Sequence, residues 1–169
     1  MTIYKQLNDD ITEESIYPIV EAINDSNLQT KFVIGITSEG GSSYSGRFLL
    51  NVLNNPSNVK RITLVCIDKC YSIAFDVFYK FKGKKQIMLG SRGMLHYDSM
   101  PLQMCHDGLL KQDPELQCGL EQLQVLRHET LTIVNNFLNK KEIEDLTKGT
   151  DVFFSYSRML EIFPDAEIV

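Results

Sequence analysis

The sequence predicts an α/β fold built on a mostly parallel sheet whose faces are covered by helices. Two observations carry this. Continuously apolar, β-branched runs stand at residues 31–37 (KFVIGIT) and 61–67 (RITLVCI), as expected of strands buried on both faces. Segments with helical spacing alternate with such runs, so the first part of the chain reads β-α-β-α-β-α-β-β, the pattern of parallel strands joined by crossover helices. With 169 residues, 43% hydrophobic and 23% charged, the chain suits one domain around one sizeable core.

Residues 2–7 read as a short strand. Thr12, followed by Glu13 and Glu14, starts a helix whose apolar face is Ile16, Ile19, Val20 and Ile23. A turn at 24–29 leads to the strand at 31–37, which ends at the stretch SEGGSSYSG. Residues 47–55 have helical spacing, and NPSN breaks them before the strand at 61–67. A helix over 71–82, a strand at 86–90 and a short strand at 94–98 (MLHYD) follow. Residues 99–115 have mixed character and read as an irregular or partly paired excursion. One long helix is expected over 115–139, with Leu116, Leu120, Leu123, Val134 and Phe137 at helical spacing. A short helix at 140–149 stops at Gly149. Residues 150–155 are extended, and Ser155 caps a last helix that Pro164 ends. No repeat, low-complexity tract or linker interrupts the chain, so residues 1–169 form a single domain with a helical excursion over roughly 98–140.

Seventeen basic against 22 acidic residues give a net charge of −5. Such a surface repels phosphate backbones, so nucleic acid is not an expected partner. No apolar run approaches the roughly 20 residues of a spanning helix, and the N-terminus lacks the charged-then-apolar order of a signal peptide. A cytoplasmic location without membrane attachment is expected. Cys66, Cys70, Cys105 and Cys118 form no Cys-x-x-Cys pair, and no paired histidine completes a zinc set. They read as buried or half-buried free thiols in a reducing compartment, with no metal and no cofactor.

Three features bear chemistry. Gly40 and Gly41 follow a buried strand directly, where glycines let the backbone turn its N–H groups into a pocket, as in an oxyanion hole. Ser72 stands between the strand ITLVCI and a helix. A serine there ordinarily caps the helix; the same place also suits a nucleophile, because the helix N-terminus stabilises a neighbouring oxyanion. His96 ends the following strand pair and is a candidate base for Ser72, since neighbouring parallel strands bring their carboxyl ends together. Periodicity does not choose among Asp98, Asp107, Asp145 and Asp151 as the carboxylate that would orient the imidazole.

The order GITSEGGSSYSG, ITLVCIDKCYSIA, GSRGMLHYD and TDVFFS resembles the family of the Clp protease proteolytic subunit. That family carries N-S-P-G-G after one strand, G-x-A-A-S-M-G-A after another, then S-R-x-M-I-H-Q-P and finally D-x-F-M/L-S. The similarity runs from about Ile3 to Ile168. It implies a Clp/crotonase-like spiral of ββα units, with the excursion as the protruding helical handle through which rings stack. It implies a serine endopeptidase whose catalytic residues are Ser72, His96 and Asp151. The amides of Gly41 and Ile73 would form the oxyanion hole, and Gly40 and Tyr97 would lie beside the substrate. The implied partners are further copies of the chain in a heptameric ring or stacked rings, an ATP-dependent unfoldase, and peptide or unfolded-protein substrates.

The departures shape the expectations. Cys70 and Tyr71 replace small residues before the serine and Ile73-Ala74 replaces Met-Gly after it, so bulk is expected to narrow the site. Glu39 replaces the proline before the glycines and puts a carboxylate near the acyl pocket, while Tyr97-Asp98 replaces Gln-Pro. The handle glycines are not recognisable in residues 99–112, and the chain begins almost at the first strand, without the family's axial segment. Two alternatives share the fold: an inactive scaffold or regulatory ring subunit, and a crotonase-type acyl-CoA enzyme, which needs no serine–histidine pair. A Ser72–Lys69 dyad would leave His96 without a role. At roughly 37 Å, the expected long helix is too long to lie wholly on one globule. Its Leu120, Leu123, Val134 and Phe137 are expected to meet a neighbouring subunit.

Overall fold

The computed structural model describes residues 1–97 and 114–169. Residues 98–113 of the expected excursion, Asp98, Cys105 and Asp107 among them, and the side chain of Leu116 lie outside the described residues. The elements in chain order are β1 (Thr2–Asn8), α1 (Glu13–Asp25), β2 (Lys31–Ser38), α2 (Ser43–Leu53), β3 (Ile62–Tyr71), α3 (Ile73–Lys80), β4 (Lys84–Ile87), β5 (Arg92–Leu95), α4 (Pro114–Val134), α5 (Lys140–Thr147), β6 (Val152–Phe154), α6 (Tyr156–Ile162) and β7 (Glu167–Ile168). The chain divides into two compact units, Met1–Leu95 with Phe153–Val169, and His96–Val152.

The first unit is α/β, as the alternation predicts. Its sheet runs β1-β2-β3-β4-β7 with every one of these neighbours parallel. β4 pairs with the first half of β3, over Thr63–Cys66, and β5 with its second half, over Lys69–Tyr71; β5 also pairs with β6. Phe32, Ile34 and Ile36 of β2 and Ile62, Leu64 and Cys66 of β3 are fully or almost fully buried. The apolar face of α1 (Ile16, Ile19, Val20, Ile23) and Leu49 and Leu53 of α2 complete this core. A second cluster gathers Phe75 and Phe78 of α3 with Phe154 and Phe163, at ring separations of 5.0–5.8 Å. It anchors the C-terminal segment, and aromatic pairs of this kind add about 0.5–1.5 kcal/mol each beyond burial.

Side chains cap the starts of α1, α2, α5 and α6. Thr12 Oγ1 accepts from the Ser15 N–H at 3.2 Å and Ser15 Oγ from the Thr12 N–H at 2.9 Å, a reciprocal capping box. Ser155 caps α6, as expected, by accepting from the Arg158 N–H. The C-terminal end of α1 is closed by Arg61, only 8% exposed. Its guanidinium donates to Ile23 O (2.8 Å), Ser26 Oγ (2.7 Å), Asn27 O (3.1 Å) and Asn58 Oδ1 (2.9 Å), and lies 5.3 Å from the Phe32 ring. These neutral acceptors satisfy the buried charge and, in return, the helix carbonyls that have no intrahelical partner.

Several boundaries differ from the sequence expectation. α2 begins at Ser43, four residues early, because Ser42 caps it by accepting from the Ser45 N–H. β4 begins at Lys84, and β5 spans Arg92–Leu95 in place of 94–98, which leaves His96 and Tyr97 just beyond the strand. Gly93 belongs to the strand for a packing reason: a Cβ there would meet Met159 Sδ at 2.5 Å and the Phe75 ring at 3.0 Å. β7 has only two residues and no periodicity to reveal it. In the second unit α4 ends at Val134, five residues before the expected end at Asn139, and spans about 32 Å. Asn139 is committed to a capping box with Glu142 that starts α5. Val134 is 2% exposed, so it is not available to a neighbouring subunit, whereas Leu120 is 36% exposed. Cys66 and Cys70 are buried free thiols as expected; Cys118, also free, is exposed on α4. Among the described residues no helix is long and apolar enough to cross a membrane.

Candidate functional site

The carboxyl end of β3 carries the first part of the site. β3 and β5 are in register up to Tyr71↔Met94, and the Ser72 N–H donates to Met94 O at 2.8 Å. Ser72 then takes φ 54° and ψ −127° and makes no side-chain capping bond to α3. The capping role that sequence position suggests is therefore not the one it plays. That dihedral pair is the first central position of a type II′ turn, where glycine dominates. A serine there is strained by roughly 1–3 kcal/mol. The strain buys a sharp strand-to-helix turn, with α3 starting immediately at Ile73.

The glycine turn lies against this junction. Gly40 and Gly41 have φ 119° and 130°, which other residues avoid. A Cβ on Gly40 would sit 2.7 Å from Ser72 Cβ, so only glycine permits the approach. Ser38, buried at the end of β2, accepts from the Gly40 N–H at 3.1 Å through its Oγ. On the far side the Ile11 N–H donates to Gly40 O (2.6 Å) and the Ser42 N–H to Ile11 O (2.8 Å). Gly41 is thus the bridging residue opposite Ile11, and in a parallel bridge the central residue's own N–H points away from its partner. The Gly40 N–H is engaged and the Gly41 N–H is turned away from Ile11. The Ile73 N–H is the first of α3, a position without an acceptor inside the helix.

Bulky residues around Ser72 are housed elsewhere. Ile73 is 6% exposed, and a Cβ on Gly46 of α2 would meet its Cγ1 at 2.2 Å. Its extra volume fills the α2–α3 contact. The Tyr71 ring packs edge-on against Phe153, with centroids 5.7 Å apart. Lys69 Nζ lies 2.6 Å from Glu39 Oε1. The Glu39 carboxylate holds the ammonium above its ordinary value, so Lys69 stays protonated and is unsuited to act as a base for Ser72. The carboxylate expected near the acyl pocket is thereby paired. An open depression of about 740 Å³ beside Glu39 and Lys69 is lined by Asp9 and Asp10 just after β1, Glu14 of α1 and Asp68 of β3, and does not include Ser72.

The second unit carries His96 and Asp151, with His96 Nδ1 3.4 Å from Asp151 Oδ1. Asp151 follows the tight turn after α5, where Gly149 takes φ 80° and the Thr150 N–H donates to Asp145 O at 2.9 Å. Asp145 is thus tied into the turn through its backbone. Arg127 lies 5.3 Å from the Tyr97 ring; partial burial raises the Tyr97 phenol above its usual value. The structure therefore gathers Ser72, Gly40, Gly41 and Ile73 in one unit, and His96 with Asp151 in the other. Sequence reasoning did not foresee the Glu39–Lys69 pair or the conformation of Ser72. Among the described residues no group of three or more His, Cys, Asp or Glu is placed to hold a metal ion. Comparison of the chain with protein-family models returns no match, and comparison with curated proteins returns none either.

Proposed function

We propose that the chain is a serine peptidase of the Clp type, and that its fold is the Clp/crotonase spiral. The observation that carries this is Ser72: a serine held in a glycine-like conformation, without a capping bond, against a glycine turn. Backbone strain of that kind persists where the surroundings enforce it, and it concentrates at functional sites.

In the proposed reaction Ser72 Oγ attacks the carbonyl carbon of a peptide bond while His96 Nε2 takes its proton. Asp151 accepts from Nδ1–H, fixes the tautomer and balances the imidazolium. The 3.4 Å separation of His96 and Asp151 supports that carboxylate over Asp145. The N–H groups of Gly41 and Ile73 would hold the oxyanion, and Gly40 and Tyr97 would flank the substrate. His96 returns the proton to the leaving amine; water, activated by the same imidazole, then releases the acyl group from Ser72.

The same proposal makes the assembly a homo-oligomeric ring or pair of rings in the cytoplasm. The sites would face a chamber that admits short peptides or chains delivered by an ATP-dependent unfoldase. Hydrolysis of small fluorogenic peptides tests the activity: turnover by the wild type and none by a folded Ser72→Ala variant is expected, and equal turnover by the two would overturn it. A second reading, an inactive ring subunit, draws on Tyr71, a bulky residue directly before the proposed nucleophile in the chain, whose ring packs on Phe153. It predicts association without turnover.

A further inference from the structure

β3 does not run straight to Ser72. Cys66 stands opposite Ile36, and Cys70 opposite Ser38, so a four-residue step on β3 matches a two-residue step on β2. The extra residues form a bulge at 67–69, where β3 also exchanges β4 for β5 as its neighbour. At about 3.3 Å per residue the matched step places the Cα atoms of Cys66 and Cys70 roughly 6.6 Å apart, half the separation a straight strand imposes. Disulfides span about 4.4–6.8 Å between Cα atoms. Both thiols are free and both residues are 0% exposed. The Cys70 thiol donates to Ala74 O at 3.2 Å.

We propose that Cys66 and Cys70 are a redox-modification site, a dithiol that a small peroxide converts to an intramolecular disulfide and a soluble thiol converts back. Burial pushes the Cys70 thiol well above its usual value, and its one proton is held on Ala74 O. Cys66 is therefore the thiol that is oxidised first. Its sulfur takes one oxygen of hydrogen peroxide as the O–O bond breaks, giving the sulfenic acid, and the departing hydroxide gains a proton to become water. The Cys70 sulfur then displaces the sulfenic oxygen, which leaves as a second water with the Cys70 proton, and the S–S bond forms. The dithiol loses two electrons and the peroxide gains them.

The disulfide has consequences beyond the bulge. Cys70 without its proton no longer donates to Ala74 O, which removes a tie between the end of β3 and the first turn of α3. Ser72 and Ile73 lie between those two points. This functional half rests on the proposed peptidase reaction; the chemistry of the pair does not.

The protein is suited to a direct test, because trypsin cuts after Arg61, Lys69 and Lys80 and so separates the two cysteines. Native protein is treated with hydrogen peroxide, freed of peroxide, denatured in the presence of an alkylating reagent and digested without reductant. Peptides 62–69 and 70–80 are expected to travel as one linked species that dithiothreitol separates. Recovery of both as separate alkylated peptides, under conditions that oxidise the exposed Cys118, would overturn the proposal; so would separate peptides carrying sulfinic acid. In parallel, turnover of a fluorogenic peptide is expected to fall at least about fivefold on oxidation and to return on reduction. A linked pair with unchanged turnover overturns the coupling to α3. A linked pair in a protein inactive even when reduced supports the redox site and counts against the peptidase reaction.

Discussion

Replacing Ser72 by glycine is expected to stabilise the protein, although the same change removes the proposed nucleophile. Ser72 holds φ 54° and ψ −127°, a conformation costing a residue with a Cβ roughly 1–3 kcal/mol. Glycine adopts it freely but adds about 0.5–1 kcal/mol of unfolded-state entropy. The balance is a gain of about 0–2.5 kcal/mol for Ser72→Gly, centred at about 1 kcal/mol. For a chain of this length, that raises Tm by up to roughly 10 °C, with about 2–4 °C at the centre. Ser72→Ala keeps the Cβ and should gain nothing. A serine that merely capped α3 behaves differently: alanine would cost about 1 kcal/mol and glycine a few tenths, so both variants would lose stability. Thermal and urea unfolding of the three proteins separate the cases. A Ser72→Gly variant less stable than the wild type would refute the strain argument, and with it the principal structural support for Ser72 as nucleophile.

Asp151→Asn should lower peptide turnover by about 10⁴-fold at unchanged stability, while Asp145→Asn leaves it within about tenfold; the reverse order, read by initial rates, would mean the wrong carboxylate. Arg61→Ala should cost about 1–3 kcal/mol, since it takes from Asn58 Oδ1 the two guanidinium N–H groups it accepts from, while Ile23 O keeps the Ser26 hydroxyl and Asn27 O the Thr30 N–H; a loss below about 0.5 kcal/mol in urea unfolding would show that water replaces the guanidinium. Leu120 and Val125 are exposed on α4, and the proposed ring should weaken when either becomes glutamate; light scattering that reports a stable wild-type monomer at tens of micromolar would refute the assembly and the chamber.

The parallel sheet was legible because Phe32 to Ile36 and Ile62 to Cys66 are apolar on both faces, a pattern that few other architectures need. The caps at Thr12 and Ser155 were legible because side-chain chemistry marks them locally. Ser72 was not, since a capping serine and a strained serine occupy the same place between a strand and a helix; only the dihedral angles separate them. The β3 bulge left one overlooked trace. Asp68 and Lys69 are adjacent charges within an apolar run, and each meets its own surface partner, Arg92 and Glu39. Two neighbours that both reach solvent are incompatible with strand alternation. The early end of α4 escaped notice because Val134, Phe137 and Leu138 continue its apolar spacing, while the capping box of Asn139 with Glu142 belongs to the next helix. His96 was assigned to a strand it follows, because Gly93 looks like a turn residue when its packing against Met159 and Phe75 is unseen.

The most direct test of the central claim is covalent labelling with a fluorophosphonate, which reacts with a serine only when a base activates it and an oxyanion site receives the developing charge. Incubation of the wild-type protein and digestion should place the phosphonyl group on Ser72, and His96→Ala should lose the label while remaining folded. A folded wild-type protein that takes no label, or takes it on a residue other than Ser72, would contradict the proposed nucleophile.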